Sequence, residues 1–79
     1  MMTAPNDAPL YIRPLNKVEE GPFTIEEAIA AARKHLYVSP ADASRIAEDY
    51  RAGSQGPWHV VYGFFDCTIR VGSDLRLAA

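Results

Sequence analysis

His35, His59, Cys67, Asp66 and the glutamates are the residues of this chain that could do chemistry. A metal site needs three or four convergent ligands, and the spacing here matches neither a Cys-x-x-Cys pair nor a His-x-x-x-His helix. No metal and no cofactor are therefore expected. Cys67 and His59 could form a nucleophilic pair if their strands are neighbours, because a base within hydrogen-bond reach activates a thiol. A lone cysteine on a strand is more often a small core hydrophobe, so no catalytic residue is assigned and the chain is not expected to be an enzyme. Gly53, Gly56, Gly63 and Gly72 are spread through loops rather than gathered ahead of a helix, which leaves no cradle for a phosphate.

Charge narrows the partner. The formal net charge is −2 and the isoelectric point about 5.5, so there is no footprint for a phosphate backbone or an anionic membrane. Within this balance Glu19, Glu20, Glu26 and Glu27 fall in nine residues that contain no Lys or Arg. Such a cluster can be a solvated face that complements a helix dipole. Alternatively it imitates phosphates and steers the chain into a basic groove on a protein.

The apolar counterpart is Trp58-His59-Val60-Val61-Tyr62-Gly63-Phe64-Phe65. Side chains alternate across a strand, so Trp58, Val60, Tyr62 and Phe64 are expected on one side and His59, Val61 and Phe65 on the other. Of the eight aromatics, Phe23 and Tyr50 are assigned to the helices, and Trp58, Tyr62 and Phe64 to the sheet surface beneath them. If both helices lie on one face, Val61 and Phe65 are left exposed, and exposed aromatic patches mark interfaces. Cover on both faces would remove that patch.

The elements that must position these groups are legible from local signals. Leu10 to Leu15 reads as a strand, with Pro14 pushing it toward a sheet edge or an early stop. Asn16 to Pro22 reads as a loop. Thr24 with Glu27 is a capping box, followed by Ile25, Ala28, Ile29, Ala32 and Leu36 on one helical face. Ser39 caps a second helix with Pro40 at its first position and Asp42 beyond. Its apolar stripe is Ala43, Ile46, Ala47 and Tyr50; Arg45 and Asp49 form an i,i+4 pair, and Gly53 is the stop. After Pro57 the period becomes alternating: Trp58 to Phe65, then Cys67, Ile69 and Val71 against Thr68 and Arg70. Phe64 to Cys67 lacks the residues of a tight hairpin, and Gly63 suggests a bulge. Gly72-Ser73-Asp74 marks a further turn, with Leu75 to Leu77 as a brief last strand.

Seventy-nine residues, 48% hydrophobic and 23% charged, allow one domain near the lower limit for an unaided core. Residues 1–9 are expected as a flexible tail and residues 10–77 as a single α+β domain. Its order is β-α-α-β-β with an optional final strand, a three- or four-stranded, largely antiparallel sheet packed with two short helices. Cys67 alone excludes an internal disulfide, which leaves packing or self-association, as monomer or homodimer, to stabilise the fold. No apolar run approaches the roughly 20 residues of a membrane helix, and the start lacks a secretory signal. A cytoplasmic location in a bacterial host cell is expected.

The capped entry Pro22-Phe23-Thr24-Ile25-Glu26-Glu27-Ala28 and the aromatic hairpin Trp58 to Val71, in a short and mildly acidic α+β chain, resemble in style the small phage-encoded inhibitors called anti-CRISPR proteins. That family shares no motif or fold, so the likeness transfers no residue roles. It implies a stoichiometric inhibitor that binds a type I CRISPR surveillance complex and blocks target DNA, through carboxylates placed where phosphates would lie or by steric blocking. From the residues themselves, Glu26, Glu27, Asp42 and Asp49 are the candidates for basic partner groups, and Val61 with Phe65 the candidate apolar anchor. The alternative is a winged-helix-like DNA-binding regulator of phage or plasmid origin, which needs Arg45, Arg51 and Arg70 on one surface.

Overall fold

The computed structural model describes residues 8–72. Six elements follow in order: β1 (Leu10–Pro14), β2 (Glu20–Phe23), α1 (Ile25–Arg33), α2 (Pro40–Arg51), β3 (Trp58–Tyr62) and β4 (Phe65–Val71). The strands form one antiparallel sheet in the order β2-β1-β4-β3. The chain is a small α+β domain.

Both helices start where side chains satisfy the orphan amides of the first turn. Thr24 Oγ1 accepts from the Glu27 N–H at 3.1 Å while Glu27 Oε1 accepts from the Thr24 N–H at 2.9 Å. Ser39 Oγ accepts from the Asp42 N–H at 3.0 Å. The end of α2 is equally defined. The Gly53 N–H donates to the Tyr50 carbonyl and the Ser54 N–H to the Asp49 carbonyl, with Gly53 at φ +103°, which is the Schellman arrangement that favours glycine. At the end of α1 the Arg33 guanidinium donates to the Val38 carbonyl, so the short link keeps Leu36 and Val38 buried and leaves Tyr37 exposed.

The core lies between the helices and one face of the sheet. Leu10, Ile12, Trp58, Val60, Cys67 and Ile69 meet Ala28, Ala32, Ile46 and Tyr50 there. Each large apolar side chain so enclosed contributes about 1.5–3 kcal/mol relative to exposure.

Two expectations need correction, and one is settled between its two alternatives. Asn16 to Pro22 is not all loop, because Glu20–Phe23 pairs with β1. Its Gly21-Pro22 pair is tolerated because β2 is an edge strand, where a missing N–H breaks no ladder. Of the two expectations for β1, the early stop is the one observed: the strand ends at Pro14 and is not at an edge, since it pairs with both β2 and β4. The hairpin, third, turns at Gly63-Phe64 and carries no bulge there. Gly63 has φ +64° while Phe64 lies outside the left-handed region, the pattern of a two-residue type II′ turn with glycine first. The expected strand at Leu75 to Leu77 lies outside the described residues. Among the described residues no helix is long and apolar enough to cross a membrane.

Candidate functional site

The two-residue turn resets which side chains share a face. Tyr62 is opposite Phe65, Val60 opposite Cys67 and Trp58 opposite Ile69, and directly opposed residues in an antiparallel pair point the same way. Phe65 therefore belongs with Trp58, Val60 and Tyr62 on the helix side, whereas Val61 and His59 belong to the other face. Val61 and Phe65 are both exposed, at 67% and 57%. They do not form the single face that unbroken alternation predicted.

Their exposure has a second cause. Pairing between β1 and β4 ends at Pro14 opposite Cys67, extended only by the Leu15 N–H donating to the Asp66 carbonyl at 2.9 Å. Beyond that level the β3–β4 ribbon projects past the rest of the sheet. Tyr62 and Phe64, expected beneath the helices, sit on this projection, and Phe64 at the turn is 96% exposed. Neighbouring segments add to the patch. Tyr37 packs its ring 5.4 Å from that of Tyr62 at 59°, and Leu15 and Val18 line a concavity with Asp66 and Thr68. Every large hydrophobic side chain that is exposed among the described residues thus lies at this one end of the molecule.

The four carboxylates are elsewhere and already engaged. Glu26 accepts from Arg51 at 2.8 Å, Glu27 closes the capping box, Asp42 faces Arg45 at 3.4 Å, and Asp49 accepts from the Trp58 indole at 3.4 Å. The expected Arg45–Asp49 pair is replaced by this arrangement. Glu26 and Glu27 also line a cleft of about 510 Å³ with Pro9, Phe23 and Tyr50, beside the start of β1. The apolar patch lies beyond the other end of that strand, so the acidic and apolar candidates do not converge.

Elsewhere on the open face, Arg70 binds both oxygens of Glu19 at 2.7 and 2.8 Å and stacks 4.8 Å above the Tyr11 ring. This pairing holds the Glu19 carboxyl below its usual range. Arg70 is thus on the sheet face away from the helices, while Arg45 and Arg51 are on α2. The DNA-binding alternative requires these three arginines together, and each is instead paired with a carboxylate.

Cys67 and His59 do not meet either. The thiol is fully buried on the helix side, where burial pushes it up to about 11. His59 is on the open face, its Nδ1 hydrogen-bonded with Thr68 Oγ1 at 3.1 Å. His35 pairs with Glu20 at 3.1 Å, and among the described residues no three potential metal ligands cluster.

No protein-family model matches the chain, and no curated protein or solved structure matches it.

Proposed function

We propose that this chain is a non-enzymatic inhibitor that binds another protein through the projecting β3–β4 hairpin. The observation that carries this reading is the collection of exposed apolar residues at one end, with Phe64 at the tip. A small domain has no folding reason to place an unsupported phenylalanine there, and aromatic residues that become enclosed by a partner dominate binding energy. Phe64, Phe65, Tyr62 and Tyr37 are the anchor, with Val61 on the opposite side of the ribbon. Glu26, Glu27, Asp42 and Asp49 play at most a steering role: Arg51 and Arg45 offset the field of Glu26 and Asp42, and Glu27 and Asp49 are held by the Thr24 N–H and the Trp58 indole.

The likeness in style to anti-CRISPR proteins supplies the partner class: a type I CRISPR surveillance complex, with target DNA excluded sterically. The test mixes purified surveillance complex with labelled target duplex and titrates the protein. Stoichiometric loss of the DNA-bound species is expected. A Phe64→Ala, Phe65→Ala double variant should weaken that inhibition by about tenfold or more. Unchanged DNA binding by the complex at saturating protein would reject this partner.

A further inference from the structure

The two edges of the sheet are built differently. β2 carries Gly21-Pro22, departs from regular register against β1, and is entered through Glu19 and Glu20. Prolines, irregularities and charges are the usual protections of an edge against pairing with another chain. β3 has none of these within it: Trp58–Tyr62 contains no Lys, Arg, Asp, Glu or Pro, and its pairs with β4 run without a break from Trp58 opposite Ile69 to Tyr62 opposite Phe65.

The hairpin also fixes which backbone groups of β3 are free for pairing. A two-residue turn closes on a hydrogen-bonded pair, here Tyr62 with Phe65, and hydrogen-bonded pairs alternate along an antiparallel ladder. Trp58, Val60 and Tyr62 therefore bond to β4, while His59 and Val61 direct their N–H and C=O groups outward. We infer that β3 pairs antiparallel with β3 of a second copy, about a two-fold axis at Val60. In that register His59 faces Val61 of the second copy and Val61 faces its His59, so all four outward groups of each strand segment are used in four hydrogen bonds. A shift of the axis by one residue toward the start sets Val61 opposite Pro57, which has no N–H, and a shift by one toward the end sets His59 opposite Gly63 of the turn.

A second copy is the occupant that this edge fits without adaptation. The pairing is self-complementary, as a two-fold interface must be, and juxtaposes no like charges. It also places the half-exposed Tyr62 beside the second copy's Trp58, and it covers Val61, two of the groups that the monomer leaves in water. Because the strands run in opposite directions, the two hairpin tips point away from each other. Each Phe64 stays available, and the pairing does not depend on the inhibitor reading.

The test uses the purified chain alone. Light scattering from low micromolar to near-millimolar concentration should show the mass rising from 8.7 kDa to twice that value. Val61→Pro removes one outward N–H per copy and no bond to β4, so it should leave the circular dichroism spectrum intact and raise the dimer dissociation constant by about tenfold or more. In parallel, the His59 and Val61 amides of the unaltered protein should exchange with solvent about tenfold or more slowly on concentration. A mass of 8.7 kDa throughout, a V61P protein that dimerises as before, or amide exchange indifferent to concentration would each overturn the proposal. Should V61P fail to fold, the exchange measurement decides by itself.

Discussion

The β3–β4 ribbon is one continuous element with two fates. At its base Trp58, Val60, Cys67 and Ile69 are enclosed under the helices, with Cys67 and Ile69 entirely shielded. At its tip Tyr62, Phe64 and Phe65 are as apolar and yet exposed. Alternation and β propensity are the same along both halves. What differs is the reach of the neighbours: β1 ends opposite Cys67, and among the described residues no strand other than β3 continues beside β4 at the tip. Hydrophobic sequence thus has two meanings within a single hairpin. At the base it stabilises the fold; at the tip the Tyr37–Tyr62 ring contact leaves most of the apolar surface in water.

The sharpest way to break this comparison is to truncate the base. Ile69 lies between Ile12 and Trp58 in the ladder and is wholly buried. Ile69→Ala should cost about 2–5 kcal/mol through lost burial and the cavity left behind. A native domain typically has only about 5–15 kcal/mol in total, and one this small sits toward the bottom of that range. Urea denaturation should therefore show a large drop in midpoint, or a chain already unfolded in buffer. A loss below about 0.5 kcal/mol, the level of an ordinary surface substitution, would mean that base and tip do not differ as described.

The next effect concerns pH and is carried by Cys67. Its thiol is held up to about 11 in the fold, from an ordinary value of 9.0, chiefly by burial. Above the ordinary value the unfolded chain loses this proton while the folded chain keeps it, so the unfolded state binds fewer protons and stability falls as pH rises. The contribution is complete below about pH 9 and is lost progressively toward pH 11, on the order of 1–3 kcal/mol in all. Cys67→Ala should flatten that part of the stability profile, after allowance for its own cavity. A profile equally steep in both proteins would show that the thiol is not the group responsible.

How much of this was legible in the sequence follows the range of the interactions. Thr24, Glu27, Ser39 and Gly53 act within three or four residues, and each does in the structure what its type and spacing predict. The α+β class and the helix faces follow from the same local periodicity. Pairings across the fold were not legible: Arg70 with Glu19, 51 residues apart, and Trp58 with Asp49, which diverts Asp49 from Arg45. β2 was hidden because an edge strand tolerates a Gly-Pro pair that would be excluded from a central one. The misplacement of Phe65 came from the turn. One signal was available, since glycine at the first position of a two-residue turn is the type II′ signature. It would have put Phe65 on the side of Tyr62 and brought Phe64 to the apex. The exposure of Tyr37, Leu15 and Val18 had no local signal, because it depends on where the neighbouring strand stops.

The smallest expected change in stability tests the other half of the comparison. Phe64 makes its turn through backbone conformation alone, and the left-handed residue that the turn needs is Gly63, not Phe64. Its ring is almost wholly in water, so its removal uncovers no core and leaves no cavity. Phe64→Ser should therefore leave thermal and urea stability within about 0.5 kcal/mol. The turn tolerates serine at its second central position, and the register of β3 against β4 is held by the buried pairs below. Solubility should rise as the apolar tip shrinks, and the inhibition proposed above should weaken. A clear destabilisation would place Phe64 in the fold after all and remove the principal reason for assigning the tip to a partner. Unchanged stability together with lost binding would separate the two halves of the ribbon by function as well as by burial.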